Sequence, residues 1–324
     1  MVWKFRHKTQ DTRYKKNLYY SVFKWLIIIA SYAFLFYKLY QFDNYGELQN
    51  LFLYSNLHWL IFVLILLPIN WLLEFEKWRY LCAPFEKISL LTSLKSVLSG
   101  LTTGFFSPNR IGELVGRPMF LKPENRLAAV LMTILNGFSQ TIVIVACGIP
   151  SAVFFFFYFL RENSSEYRLY TWICIVWFAL FLLTYILLPK IARWISKKKF
   201  FEKIHKYLNL ISGISAKRLL VLLIYSLVRY VVFCLQYYFI LFFCGVEIPP
   251  FEAAIAITLN YLLITITPSF SFSEAAVRVS FAVFFFGFFS DNMIGIASAG
   301  LLLWIINFAL PMLVGSVFFA KSKI

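Results

Sequence analysis

Ser107-Pro108-Asn109-Arg110-Ile111-Gly112-Glu113-Leu114-Val115-Gly116-Arg117 and Thr267-Pro268-Ser269-Phe270-Ser271-Phe272-Ser273-Glu274-Ala275-Ala276-Val277-Arg278 share one pattern. Each runs from a hydroxyl residue and Pro to a Glu behind a small residue, with an Arg four positions after the Glu. Glu113 to Glu274 is a step of 161 residues and so is Arg117 to Arg278, while half of the 324-residue chain is 162. Both copies lie inside strongly apolar stretches, where ionisable groups are expensive and mark functional sites. A polar, Pro-interrupted element repeated at matching places in two membrane halves points to a transporter binding site.

Working outward, the chain is 61% hydrophobic and 20% aromatic, with a mean hydropathy of +0.75. These values exceed those of soluble domains and describe a polytopic membrane protein. No polar stretch is long enough to hold a soluble catalytic domain, so residues 1–324 read as a single membrane domain. The net charge of +16 does not indicate nucleic acid, because the basic residues gather at the ends of apolar spans. Cys82, Cys147, Cys174, Cys234 and Cys244 show no CxxC spacing and read as buried free thiols. Lys4, Arg6, Lys8, Arg13, Lys15 and Lys16 precede the first apolar run without a cleavage signal, so that run is expected to be a retained helix.

Six full spans are expected, near 19–40, 53–73, 127–148, 169–189, 219–244 and 292–318. Two further apolar stretches, 88–121 and 251–289, each contain one copy of the repeat and are interrupted near the middle. Each reads as a re-entrant hairpin turning at Ser107-Pro108 or Thr267-Pro268. With both termini cytoplasmic, segments 1–24, 74–126, 190–218 and 319–324 hold 7, 8, 9 and 2 basic residues, 26 of the 31 in the chain. Counting either hairpin as a full span would place a later basic loop outside and destroy this bias. The expected fold is therefore all-α, with about six transmembrane helices and two re-entrant helical hairpins arranged as an inverted repeat. The halves are approximately 1–160 and 161–324, and the hairpin tips meet near the midplane. Residues 149–160 either extend the third span or lie along the interface. Residues 190–215 read as a cytoplasmic amphipathic segment, with Ile191, Trp194, Ile195, Phe201, Ile204, Leu208 and Ile211 at helical spacing between lysines.

In each copy the hydroxyl–Pro pair suits a helix start, and Ser271 has capping-box spacing to Glu274. Glu113 and Glu274 then fall in first turns, with Arg117 and Arg278 at i+4 on the same face. Such pairs either neutralise themselves or, together with Arg110, form an anion site whose glutamates act as gates. Arg229 must face protein or a wet cavity; it either lines the path or pairs structurally. Asn136, Gln140, Asn260 and Asn307 read mainly as interhelical hydrogen-bond partners, Asn136 and Asn307 also as secondary site candidates. His58 reads as an interfacial histidine. No histidine pair has metal-ligand spacing, and GxSxG, Walker A and HExxH are absent, so no cofactor or catalytic apparatus is expected.

At these residues the chain resembles the transmembrane region of lysylphosphatidylglycerol synthases and the stand-alone flippase-like inner-membrane proteins related to it. That family carries Pro-Gly-Arg-x-Gly-Glu in its first half and Thr-Pro-Gly-Gly-x-Gly-x-x-Glu in its second. Here they stand as Pro108-Asn109-Arg110-Ile111-Gly112-Glu113 and as Thr267-Pro268 followed by Glu274-Ala275-Ala276. The chain departs in replacing the second element's glycines with Ser269, Phe270, Ser271 and Ser273, and in lacking a Glu-Arg…Asp element after the first hairpin. The soluble aminoacyl-transfer domain of the fused synthases is absent from the 324 residues, so lysyl transfer is not implied. The resemblance implies translocation of phospholipids or polyprenyl-linked lipids between leaflets of a bacterial cytoplasmic membrane. The expected role is thus a non-enzymatic lipid flippase. Arg110, Arg117 and Arg278 contact an anionic headgroup, and Glu113 and Glu274 gate it. A membrane-embedded headgroup transferase or phosphatase and an envelope-assembly scaffold stand as alternatives. Membrane lipids are the expected partners; a second copy of the chain or a lipid-synthesis enzyme is the expected protein partner.

Overall fold

The computed structural model describes residues 56–105, 107–159, 164–198, 205–267 and 271–321. The expected span at 19–40, His7 and Pro268 to Phe270 lie outside the described residues, as do the side chains of Pro108, Ser271 and Ser273. Every regular element among the described residues is helical. In order they are α1 (Leu57–Cys82), α2 (Leu90–Phe105), the short α3 (Glu113–Gly116), α4 (Arg126–Phe159), α5 (Ser164–Ser196) and α6 (His205–Ser212). After them come α7 (Ala216–Phe243), α8 (Pro250–Ile266), α9 (Ser271–Phe286), α10 (Met293–Trp304) and α11 (Leu310–Lys321). Five segments are long and apolar enough to cross a membrane: Leu57–Cys82, Pro123–Tyr158, Trp172–Ser196, Ala216–Phe243 and Met293–Ala320. The protein is an integral membrane protein, and these five correspond to the last five expected spans.

Helix ends follow local chemistry. The Ser215 hydroxyl caps α7 by accepting from the Arg218 amide at 3.2 Å. At the other end Gly245 takes a φ of 69°. The Val246 amide then reaches back to the Leu241 carbonyl at 2.9 Å, closing a Schellman turn. Asn292 caps α10 by accepting from the Gly295 amide at 2.9 Å.

Packing is reciprocal between the two halves: α1 lies along α7, α2 lies along α11, and α8 lies along α4. Small and hydroxyl residues make the α2 contacts close. Ser93 donates to the Phe75 carbonyl at 2.6 Å and Thr102 to the Met312 carbonyl at 2.9 Å. Thr103 donates to the Gly112 carbonyl at 2.8 Å, tying α2 to the chain that returns beside it. At Gly116 a Cβ would lie 2.6 Å from the Ser99 carbonyl oxygen and 2.8 Å from the Gly100 Cα. In hydrocarbon, where apolar burial does not drive helix association, such close backbone approach and interhelical hydrogen bonds do.

Of the two readings of residues 149–160, extension of the third span holds: α4 runs to Phe159 with Pro150 inside it. Two expectations change. The amphipathic segment is not one helix. Lys190 to Ser196 continue α5, which ends before Lys197-Lys198-Lys199, and α6 starts separately at His205. Beyond the helix end Lys198 lies over the Trp194 ring at 3.6 Å. The first returning arm is also not a regular half-helix. It makes one turn as α3 and then a 3-10 segment, Arg117–Phe120, because Pro118 lacks the amide that an α-helix needs. The second arm, α9, has no such break and runs for 16 residues.

Replacing Gly116 with Leu should therefore abolish monodisperse folded protein. Gly137→Ala, whose Cβ would meet nothing within 4 Å, should raise the unfolding temperature slightly, since Ala exceeds Gly in a helix by ~1 kcal/mol. Thermal unfolding in detergent with size-exclusion chromatography reads both. Wild-type behaviour of the Leu variant would remove the close α2 contact from this account.

Candidate functional site

The two repeated motifs meet. The turn after α2 is built on Ser107, whose hydroxyl donates to the Gly104 carbonyl at 2.9 Å and accepts from the Gly112 amide at 2.6 Å. Asn109 and Arg110 take φ values of 49° and 58°. That left-handed region costs an L-residue roughly 1–2 kcal/mol, with Asn the exception that tolerates it best. The strained turn points Arg110 across to the second half, where its Nη2 lies 2.7 Å from Glu274 Oε1. The same carboxylate oxygen accepts from Arg278 Nη2 at 2.7 Å and Nε at 3.1 Å. Both guanidiniums stack on one ring, Phe308, at 3.9 and 4.4 Å from its centroid. Phe308 sits in a π-helical turn, Ile305–Ala309, between α10 and α11. Such turns displace side chains from the regular helical register and recur at functional sites.

Deeper in the protein lies a second cluster. Glu74 on α1 is 2% exposed, and its two oxygens are held by Arg117 at 2.7 Å and Arg229 at 2.8 Å. Glu113 holds the other side of Arg117, accepting from Nε at 3.0 Å and Nη2 at 2.8 Å. Asn136 donates to Glu74 at 2.9 Å. Lys77, fully buried, donates to Ser226 Oγ at 2.8 Å and to the Asn136 carbonyl at 3.2 Å. Arg229 Nε also donates to Asn70 Oδ1 at 2.8 Å.

Both clusters face one cavity of about 530 Å³. Four arginines (Arg110, Arg117, Arg229, Arg278) and three glutamates (Glu74, Glu113, Glu274) line it. The walls are therefore positive by one charge among the described residues. The excess lies towards Glu274, which serves two arginines alone and beside which Arg110 is the more open, its side chain 32% exposed. A charge-assisted pair between guanidinium and carboxylate can be exchanged for one between guanidinium and phosphate.

Of the expected site residues, Ser107, Arg110, Glu113, Arg117, Thr267, Glu274, Arg278, Asn136, Arg229 and Asn307 all line this cavity. The i+4 pairs are closed in both copies, and the cross-pair Arg110–Glu274 joins one copy to the other. Asn260 stands elsewhere, donating to the Tyr237 hydroxyl at 2.9 Å as an interhelical partner. His58 opens α1 beside the Trp59 ring at 4.7 Å. Sequence reasoning missed Glu74, Lys77 and Phe308. Glu74 and Lys77 fell beyond the assumed end of the span, but Asn70, Glu74 and Lys77 form an i, i+4, i+7 polar stripe on α1. Glu76 and Arg79 pair with each other on the exposed side instead. Phe308 carried no local signal, being one of 38 phenylalanines.

Apolar helices around a charged, partly open cavity define a polytopic membrane protein with a polar site among its helices. Residues 22–315 match the family model of the lysylphosphatidylglycerol synthase TM region, and the chain belongs to that family. No curated protein and no solved structure matches it.

Glu74 is the carboxylate whose loss should matter most to stability. Glu74→Gln removes the negative charge and leaves one acceptor oxygen where Arg117 and Arg229 had two, with an amide donor in the other place, which should destabilise the protein by about 3–5 kcal/mol. Glu76→Gln, on the exposed pair, should change it by less than about 1 kcal/mol. Unfolding of the two variants in the same detergent gives the comparison; equal midpoints would mean that the inner cluster is not what holds α1 to α7 and the first arm.

Proposed function

We propose that this protein moves lipids with anionic headgroups between the leaflets of a bacterial cytoplasmic membrane. The headgroup enters the charged cavity while the acyl chains stay in the bilayer. The observation that carries this reading is the pair Arg110 and Arg278, drawn from two motifs half a chain apart, stacked on Phe308 and bridged by a single carboxylate. A phosphate arriving there competes with Glu274 for two guanidiniums, and each has edges free to form charge-assisted hydrogen bonds. Glu274, released, opens the connection between the two halves; Glu113 plays the corresponding part beside Arg117.

In this reading α2 with α3, and α8 with α9, are re-entrant hairpins that enter from opposite faces, and the halves are inverted repeats. The reciprocal packing of α2 on α11 and α8 on α4 supports that arrangement, as does the bias of basic residues towards segments that would then be cytoplasmic. Both termini are cytoplasmic in the same scheme. Transport is passive or coupled to protons or ions, because the sequence contains no ATP-binding motif. A non-enzymatic role is favoured because Glu74, Glu113 and Glu274 each already accept from arginine, leaving none poised as a general base.

Reconstitution into liposomes with a headgroup-labelled anionic lipid tests the proposal. Wild type should accelerate exchange between leaflets. In protein that still elutes as a single folded species, Arg110→Gln with Arg278→Gln should slow it by roughly tenfold or more, the scale of losing charge-assisted bonds. Undiminished exchange in the double variant would remove the site from transport, and release of inorganic phosphate from the lipid would replace transport with hydrolysis.

A further inference from the structure

Lys77 takes no part in the ion pairs around the cavity. Its side chain is fully buried on α1, one turn beyond Glu74. The carboxylates nearby are bound to arginines, Glu74 to Arg117 and Arg229 and Glu113 to Arg117. Among the described residues none stands within ion-pairing distance of the lysine. Lys77 Nζ donates instead to Ser226 Oγ at 2.8 Å and to the Asn136 carbonyl at 3.2 Å. The Ser226 hydroxyl accepts because its own proton goes to the Leu222 carbonyl at 2.8 Å or to Ser139 Oγ at 3.2 Å. Two acceptors meet the two N–H groups of an amine, whereas an ammonium has three.

A buried ammonium without a carboxylate beside it is costly, and a hydrogen-bonded amine is not. Arginine cannot answer such a cost by giving up a proton, but lysine can. Lys77 is therefore the cation of the inner cluster whose charge can change, and the charges around it decide when. Those whose fields reach it are Glu74 on α1, Arg117 on the first arm and Arg229 on α7. The α4 side presents the uncharged Asn136 and, through Ser226, Ser139. Two guanidiniums against one carboxylate oppose a third positive charge, while a negative ligand arriving in the cavity favours it. Lys77 does not line the cavity, but Glu74, one turn away, and Asn136, which it touches, both do. Gln140 lines it as well and donates to the Ser226 carbonyl at 3.4 Å.

We propose that Lys77 is a proton-binding site coupled to the anion in the cavity, so that an anionic lipid binds and leaves together with one proton. This rests on the anionic-lipid reading above and supplies its energy source. The proton comes from water and adds to the Nζ lone pair; on release it returns from that nitrogen to water, and no other bond is made or broken. By linkage each ligand tightens the binding of the other by the same factor. Lipid and proton cross as an uncharged pair, so a pH gradient drives exchange and the membrane potential does not.

Isothermal titration calorimetry of the full chain in detergent with dihexanoyl-phosphatidylglycerol tests this, because the charge of that phosphodiester stays constant around neutral pH. Titrations in two buffers of different ionisation enthalpy count the protons taken up on binding. Wild type should take up protons at neutral pH. Its affinity is greatest where Lys77 is charged with and without lipid, and least where Lys77 is neutral in both. Affinity should therefore fall roughly tenfold from about pH 6 to about pH 9, within the usual span of coupling between two ligands. Folded Lys77→Gln should bind without proton uptake, at the weaker affinity throughout; Lys77→Arg, charged at every pH, should also lose the pH dependence. Uptake should persist in Glu274→Gln, which separates Lys77 from a carboxylate that gains a proton when phosphate displaces it. Wild-type binding without proton uptake and with constant affinity would overturn this inference and leave the anionic-lipid reading intact. Undiminished uptake in Lys77→Gln, or its loss in Glu274→Gln, would move the proton to another group and overturn the assignment. Equally tight binding of glycerophosphoglycerol, the same headgroup without acyl chains, would overturn the lipid as the proton's companion. Lipid binding unchanged in Arg110→Gln with Arg278→Gln would overturn the transport reading and this inference with it.

Discussion

The buried carboxylate of Glu74 has to be neutralised inside a bundle of apolar helices, and most of the protein's interior is arranged around doing so. Its two oxygens bind Arg117, from the first arm, and Arg229, from α7. Asn136, from α4, fills the remaining position on Oε1. Three elements distant in sequence are thereby tied to α1 by groups that cannot be released singly without leaving a charge stranded in low dielectric. Arg117 is locked further by Glu113 one turn back, which explains why the first arm holds its place although it makes only one α-helical turn before Pro118.

Close packing supplies the second constraint. Guanidinium and carboxylate groups hold within a few tenths of an ångström only when the backbones that present them cannot slide. Along α2, Ser93, Ser96, Thr102 and Thr103 each donate to a carbonyl of a neighbouring segment or of the returning arm. Gly100 and Gly116 let the arm approach to the backbone itself. The outer cluster is looser. Arg110 is held by one carboxylate and one aromatic face, at the end of a turn with two left-handed residues. The molecule therefore combines an inner group of charges that is balanced and rigid with an outer pair that a ligand can exchange.

Glu113–Arg117 and Glu274–Arg278 were legible as pairs from their spacing alone, because i and i+4 share a helix face wherever a helix forms. That the two copies would touch was legible from their placement in opposite halves. The partners were not: each Glu was expected to answer its own Arg, but Glu274 also holds Arg110, and Arg117 is shared with Glu74. The glycine pattern of the family's first motif also becomes intelligible here. Asn109 stands where the family has Gly and takes a positive φ, one of the few roles in which Asn substitutes for Gly at little cost.

Hydrophobicity and charge placement by themselves determined the membrane class, the positions of five spans and the repeated element that lines the cavity. These properties are local or add along the chain, so a single sequence contains them. What only the tertiary structure decided was which charges meet. Glu74 and Lys77 join the site because α1 runs straight on to Cys82, and Phe308 joins it because a π-helical turn rotates it under two arginines. The hydrogen bonds beside the cavity join partners up to 237 residues apart. Hydrogen bonding between groups so distant is set by packing, and no spacing rule along the chain encodes it.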